Sequence, residues 1–221
     1  MNSTNTHKTA KAAFIEDLEK MDALSLEEAL ERNCQEESVD TINWPDAFPY
    51  CPECRFRVAR SSKYLAVSFH VKGKDLRATE LGDNGRNWED SCCEFFISPD
   101  AESYFNIEIN CIGSVLMAKG KGRDGRVKVQ EKDVARIIRH CSLEHKLYDC
   151  KGDLHCWQVA VVIPFDLIGL NPDKLPESVN VNFYKCGDLT ATPHFVSWNP
   201  IDTPNPDFHR PEFFGKLLLN A

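Results

Sequence analysis

Tyr104-Phe105-Asn106-Ile107-Glu108-Ile109-Asn110-Cys111 alternates strictly between two kinds of side chain. In a strand, successive side chains point to opposite faces. One face therefore carries Phe105, Ile107, Ile109 and Cys111, and belongs in a core. The other carries Tyr104, Asn106, Glu108 and Asn110, with amides and a carboxylate but no lysine or arginine. Asn180, Asn182 and Tyr184 repeat that pattern. Such a face offers both donors and acceptors, which suits sugar hydroxyls. It equally suits a polar outer face bonded to a covering loop, and alternation alone leaves both readings open.

Working outward, short β-type runs recur from residue 42 onward. They are expected at 55–59, 64–71, 92–97, 104–111, 114–118, 134–141, 155–163, 180–184, 194–198 and 216–219. Turn residues separate them, as at Lys72-Gly73-Lys74, Gly82 to Gly85, Ser98-Pro99-Asp100, Gly120 to Gly125 and Lys151-Gly152-Asp153. Many short strands with frequent turns predict an all-β, immunoglobulin- or jelly-roll-like antiparallel sandwich over residues 41–221. Residues 1–40 read as a short helical N-terminal extension. Phe14, Leu18, Met21, Leu24, Leu26, Ala29 and Leu30 form its apolar stripe, and Ser25 with Glu28 reads as a capping box.

The chain has 221 residues and a formal net charge of -8. That charge argues against a nucleic-acid partner, which wants a basic face, and against docking on an anionic membrane. No apolar run approaches the length of a transmembrane helix. The N-terminus lacks a basic start followed by an apolar stretch. Reduced thiols in the cytoplasm are the expectation for the ten cysteines, with an extracellular or periplasmic placement left open.

Cys51-Pro52-Glu53-Cys54 has no second pair and no thioredoxin-like context. His140-Cys141, His145, Cys150 and His155-Cys156 fit no common zinc spacing. No nucleophile elbow, phosphate loop or dinucleotide fingerprint is present, so no catalytic residue is named. Trp88 follows the turn-rich stretch Gly82 to Asn87 and is expected to be partly exposed; Trp157 belongs to the core. Trp198 precedes Asn199-Pro200 and is expected at a loop rim. His209 and Arg210 lie in the proline-bounded loop Asn205 to Pro211, open to a pocket role or to pairing with Asp207 or Glu212.

Several segments, in this order, carry a resemblance. They are Asn87-Trp88-Glu89-Asp90-Ser91-Cys92-Cys93-Glu94-Phe95-Phe96, Tyr104 to Gly113, Trp157 to Phe165, Asn182 to Asp188, Pro193 to Pro200, and Phe208 to Gly215. The chain resembles the family 9 carbohydrate-binding modules and their DOMON-like β-sandwich relatives, closest to a bacterial stand-alone subgroup. The resemblance implies non-catalytic binding of a mono- or oligosaccharide between aromatic side chains. Trp88 and Trp198 match two tryptophans that sandwich a terminal sugar, and Glu94 matches a hydroxyl-binding glutamate. An indole laid on the C–H face of a pyranose excludes water and leaves the hydroxyl rim for polar groups. Asn106, Glu108, Asn182, Lys185, His209 and Arg210 complete the expected ligand set.

Two positions depart from the family pattern. Its sugar-binding arginine has no counterpart on the 104–110 strand, and Phe195 stands where an asparagine is expected. No cofactor is required; some members hold structural calcium, for which Asp83, Asp90 and Asp100 are the nearby oxygen donors. Two further readings stay open. One is a glycan-processing O-glycosyl hydrolase using the same pocket. The other is a haem or redox domain with Met117 or His194 as axial ligand.

Overall fold

The computed structural model describes residues 7–220; residues 1–6 of the expected extension and Ala221 lie outside the described residues. The strands, in chain order, are β1 (Thr9–Lys11), β2 (Ala13–Phe14), β3 (Glu37–Ser38), β4 (Thr41–Ile42), β5 (Glu53–Arg60), β6 (Tyr64–Ala78), β7 (Cys92–Ser98) and β8 (Tyr104–Asn110). They continue as β9 (Val115–Gly120), β10 (Val127–Lys128), β11 (Ile138–Cys141), β12 (Tyr148–Pro164), β13 (Ser178–Cys186), β14 (Phe195–Ser197) and β15 (Gly215–Leu218). Helices α1 (Ala23–Asn33) and α2 (Glu131–Val134) and five short 3-10 turns complete the described elements.

The strands form the expected antiparallel sandwich. One sheet runs β1-β15-β13-β7-β8-β9-β10, with β14 beside β13 and β4 beside β14; the other runs β11-β12-β6-β5-β2, with β3 on β5. Only the β1–β15 and β2–β5 pairings are parallel among the described residues. Phe95, Ile107, Ile109, Met117 and Phe183 of the first sheet meet Phe56, Phe69, Val159 and Val161 of the second in one core. The Phe56 and Phe183 rings stack at 3.8 Å between centroids. Each fully buried side chain of this size contributes roughly 1.5–3 kcal/mol of transfer free energy.

Within the N-terminal extension, expected to be helical, residues 8–34 hold two short strands and a 3-10 turn before the single α-helix α1. Thr9–Lys11 adds to the edge of β15 and Ala13–Phe14 to the edge of β5, so the chain caps a strand edge of each sheet. Gly215 permits the first contact: a Cβ there would collide with the Asn199 amide, the Lys8 carbonyl and the Trp198 ring. The cap of α1 is Asp22, whose carboxylate accepts from the Ser25 amide at 2.8 Å, not Ser25 itself. Leu26 and Leu30 of α1 cover Ala66, Ala160 and Val162 on the outer side of the second sheet. The helix covers that part of the face; the outer face of the first sheet is left for loops.

Three local expectations change. Lys72-Gly73-Lys74 is not a turn but part of β6. Lys151-Gly152-Asp153 lies inside β12, at a register break between Cys150 and Leu154. Turn-type composition there marks an irregularity in a long strand pair rather than its end. Val134 ends helix α2, so the strand expected from residue 134 begins at Ile138.

Candidate functional site

Strand parity sets which side chains the first sheet turns outward. Cys92, Glu94 and Phe96 of β7, Tyr104, Asn106 and Glu108 of β8, and Asn182, Tyr184 and Cys186 of β13 all point away from the core. The segment after β14 folds back over part of this face: Phe208 stacks on Tyr184 at 4.3 Å, and Trp44, Ile201 and Phe214 join the cluster. The uncovered part is a cavity of about 520 Å³, within the size range of small-molecule sites, about 300–1,000 Å³.

Its floor is Glu94, Asn106, Glu108, Leu116, Ala118 and Cys186. Trp88, Arg86, Phe195, Phe208 and His209 add to the lining, with Arg123 and Arg126 from the β9–β10 loop. Asn87 holds the Trp88 turn down, its buried amide donating to the carbonyls of Ser114 at 2.7 Å and Glu108 at 3.2 Å. The Asp188 amide donates to the Trp88 carbonyl at 3.1 Å. The Arg86 guanidinium lies 5.6 Å from the Trp88 ring centroid.

The floor carboxyls are unusual. Glu94 and Glu108 are directly opposite on β7 and β8 and are 3% and 5% exposed. Burial pushes Glu94 well above the usual carboxylate range, with the adjoining Cys186 and Glu108 adding to it. Burial likewise raises Glu108 to about 7, against the hydrogen bond from Asn106. Asp188 at the rim rises to about 6, chiefly through burial. Glu108 Oε1 accepts from Asn106 Nδ2 at 2.8 Å, while its Oε2 is buried without a partner. A buried acceptor left unmade costs about 1–3 kcal/mol, so Glu108, a residue of the cavity lining, keeps one unpartnered buried oxygen.

Of the nine expected ligand residues, Trp88, Glu94, Asn106, Glu108 and His209 come together around this cavity; Asn182, Lys185, Trp198 and Arg210 do not. The tryptophan sandwich is not formed. Trp198 is fully buried in the core, edge-on to Phe56 and Phe183 at 5.8 and 5.6 Å. It shares a strand face with Val196, and that face is the inner one; Phe195, on the opposite face, lines the cavity instead. Lys185 shares the inner face with Phe183, and Asn182 is tied to the main chain of Asn199 at 2.9 and 3.3 Å. Arg210 pairs with Glu212 at 2.9 Å and Asp207 at 3.8 Å.

An arginine does reach the cavity, from a loop rather than from the 104–110 strand. Arg126 reaches in from the β9–β10 loop, donates to Asn106 Oδ1 at 2.9 Å, and lies 4.2 Å from the Tyr104 ring centroid. Tyr104 in turn bonds His209 Nδ1 at 2.9 Å. Burial, with Arg126 and Arg123 nearby, holds His209 down at about 3, so it is a neutral partner.

The aspartates named for calcium have hydrogen-bond partners within the protein. Asp83 forms a two-pronged pair with Arg139 at 2.7 and 2.8 Å. Asp90 accepts from Thr79, Glu80 and Asn110 at 2.9–3.0 Å, and Asp100 caps the 102–103 amides. Met117 and Cys54 both lie in the core. Neither the Cys51–Cys54 pair nor the 140–156 His/Cys set gathers into a ligand cluster among the described residues.

His194 is bound on both sides: Nε2 faces Lys185 Nζ at 2.8 Å and Nδ1 the Thr192 carbonyl at 2.9 Å. Burial and then the Lys185 charge hold it at about 3, below the ordinary 6.5, with Asp75 opposing. The unfolded chain therefore takes up this proton first as pH falls. The stabilisation is complete above about 6.5 and drains away toward pH 3. His194→Gln removes the titration, so chemical denaturation between pH 6.5 and 5 should show a stability slope shallower by on the order of 1 kcal/mol per pH unit. Equal slopes in variant and wild type would refute this.

Fold and cavity together define a β-sandwich of the carbohydrate-binding-module type. The chain belongs to carbohydrate-binding family 9, whose model matches residues 24–219. It is similar to a provisionally assigned carbohydrate-binding protein from Bacteroides uniformis ATCC 8492, with 32% identity over 97% of this chain and 100% of that one, and a TM-score of 0.90. Two structures of a family 9 module from Caldicellulosiruptor kristjanssonii, in complex with glucose and with cellotriose, share the fold. They superpose with TM-scores of 0.55 and 0.56 at 13% and 11% identity, over 97% of this chain and 96% and 94% of theirs. No curated protein matches the sequence.

Proposed function

We propose that the protein binds the terminal one or two units of a neutral saccharide in the cavity on the outer face of the first sheet. The observation that carries this reading is a cavity lined together by Trp88, Glu94, Asn106 and Glu108, the last with an unpartnered buried oxygen. Sugar hydroxyls donate to the carboxyls and Asn106 adds an amide, while the C–H face of the pyranose lies against Trp88. Phe195 and Phe208 offer the facing apolar wall that Trp198 does not. The related structures bound to glucose and cellotriose support the ligand class. Affinity of about 1 mM to 1 μM corresponds to about -4 to -8 kcal/mol.

Calorimetric titration with glucose, cellobiose, cellotriose and a panel of other mono- and disaccharides tests it. Trp88→Ala should weaken the best ligand about tenfold or more, the loss of roughly 1.4 kcal/mol of ring contact. Arg210→Ala, outside the cavity, should leave affinity unchanged. A wild type that binds no saccharide, or a Trp88→Ala variant that binds as well, refutes the reading. Product formed during the titrations would place glycosidic hydrolysis in the same cavity instead.

A further inference from the structure

The cavity floor also contains a cluster that saccharide binding does not account for. Cys92 and Cys186 stand directly opposite each other on the antiparallel strands β7 and β13. Glu94 is two residues along β7 from Cys92 and so shares its face. Cys186 Sγ lies 3.0 Å from Glu94 Oε1, and all three side chains are buried. Their ligand atoms lie within 4.8 Å of one another, and no other group of three such residues gathers this way among the described residues. Glu94 and Cys186 reach the cavity surface. Beside them Glu108, opposite Glu94 and itself 5% exposed, keeps a buried carboxylate oxygen with no hydrogen-bond partner.

We infer that Cys92, Glu94 and Cys186 form a binding site for one zinc-class divalent cation, with the fourth coordination position turned toward Glu108 and the cavity. Two sulfurs and a carboxylate oxygen are a donor set for a borderline-soft ion; calcium and magnesium want oxygen alone. Three protein ligands and one open position is the arrangement of a zinc ion that also meets a bound molecule or water. Binding replaces the protons of the two thiols and of any protonated carboxyl with the ion, and those protons leave to solvent. Two thiolates and one carboxylate against a divalent ion leave one net negative charge at the site. The rigid antiparallel pair supplies both sulfurs from its backbone register, so no loop has to close. This inference does not depend on saccharide binding.

The test uses the reduced full chain, stripped of metal with a chelator and titrated with Zn2+, and with Co2+ as the optical probe. One ion per chain by native mass spectrometry is expected, together with a thiolate-to-cobalt charge-transfer band displaced by Zn2+. The band intensity in the wild type should correspond to two thiolates, a reading that needs no variant. Cys92→Ala and Cys186→Ser should each weaken zinc binding at least a hundredfold, and Cys156→Ser, at an exposed thiol, should leave it unchanged. Absence of the band, or a band that survives in Cys92→Ala/Cys186→Ser, overturns the site. Saccharide titrations of the stripped and loaded protein are scored separately. A protein that binds zinc and no sugar refutes only the saccharide reading; one that binds sugar and no zinc refutes only this one.

Discussion

Trp198→Ala lowers the stability of the sandwich by about 3–5 kcal/mol, the cost of removing a large aromatic from a packed core. For a chain of this size that is a fall in Tm on the order of 10 °C. The indole has no exposed surface, meets Phe56 and Phe183 edge-on, and donates from Nε1 to Glu37 at 3.3 Å. Truncation leaves a void between the two sheets and an unpaired acceptor on Glu37. Trp198→Phe keeps most of the volume and should retain wild-type saccharide affinity, because the ring does not reach the cavity. Thermal denaturation read beside calorimetry separates the two roles. A Trp198→Ala protein with unchanged Tm and abolished sugar binding would return Trp198 to the ligand.

Asp90→Ala should cost a comparable 3–5 kcal/mol, the range for breaking a buried charge away from its partners. Asp90 is fully buried. Its carboxylate gathers the Thr79 and Glu80 amides, the Thr79 hydroxyl and the Asn110 amide, with Arg77 at 3.5 Å. These contacts fasten the end of β6 to the turn that carries Trp88. Alanine strands every one of those donors; Asp90→Asn, which keeps an acceptor oxygen, should lose roughly half as much. Urea denaturation gives both values. A loss below about 1 kcal/mol for Asp90→Ala would sink the argument. So would a wild-type Tm that rises with added calcium through Asp90, since the carboxylate would then be holding an ion rather than backbone.

The sandwich was legible because burial has a period. Ile107 and Ile109 alternate with Asn106 and Glu108, and one strand of that kind already states which side is core. The same rule, applied one strand further, also holds the corrections. Lys185 lies between Tyr184 and Cys186 on the chain, so it cannot share their face, and it sits with Phe183 on the inner side. Val196 and Trp198 likewise share a face, and Phe195 takes the other. The resemblance points Trp198 to a sugar clamp, whereas the alternation in Phe195-Val196-Ser197-Trp198 puts it with Val196 on the core side.

Other features had no local signature. Thr9–Lys11 reads as helix because its partner, β15, is some two hundred positions away, and pairing with an open sheet edge outweighs a weak helical preference. Arg126 enters the cavity from a loop, where side-chain direction follows no period.

By itself the sequence determined the two-faced strands, the sandwich they make, and the carboxylates and amides that look away from its core. The physical reason is that a pleated backbone forces alternation and water sorts the two faces. Only the tertiary structure decided which part of the outer face stays open. It set Glu94 against Glu108, and Cys92 against Cys186, through strand register between distant segments. It laid Phe208 over Tyr184 and left the floor beside Trp88 uncovered. Register and loop closure depend on which strands meet, and that is a property of the whole packed chain rather than of any stretch within it.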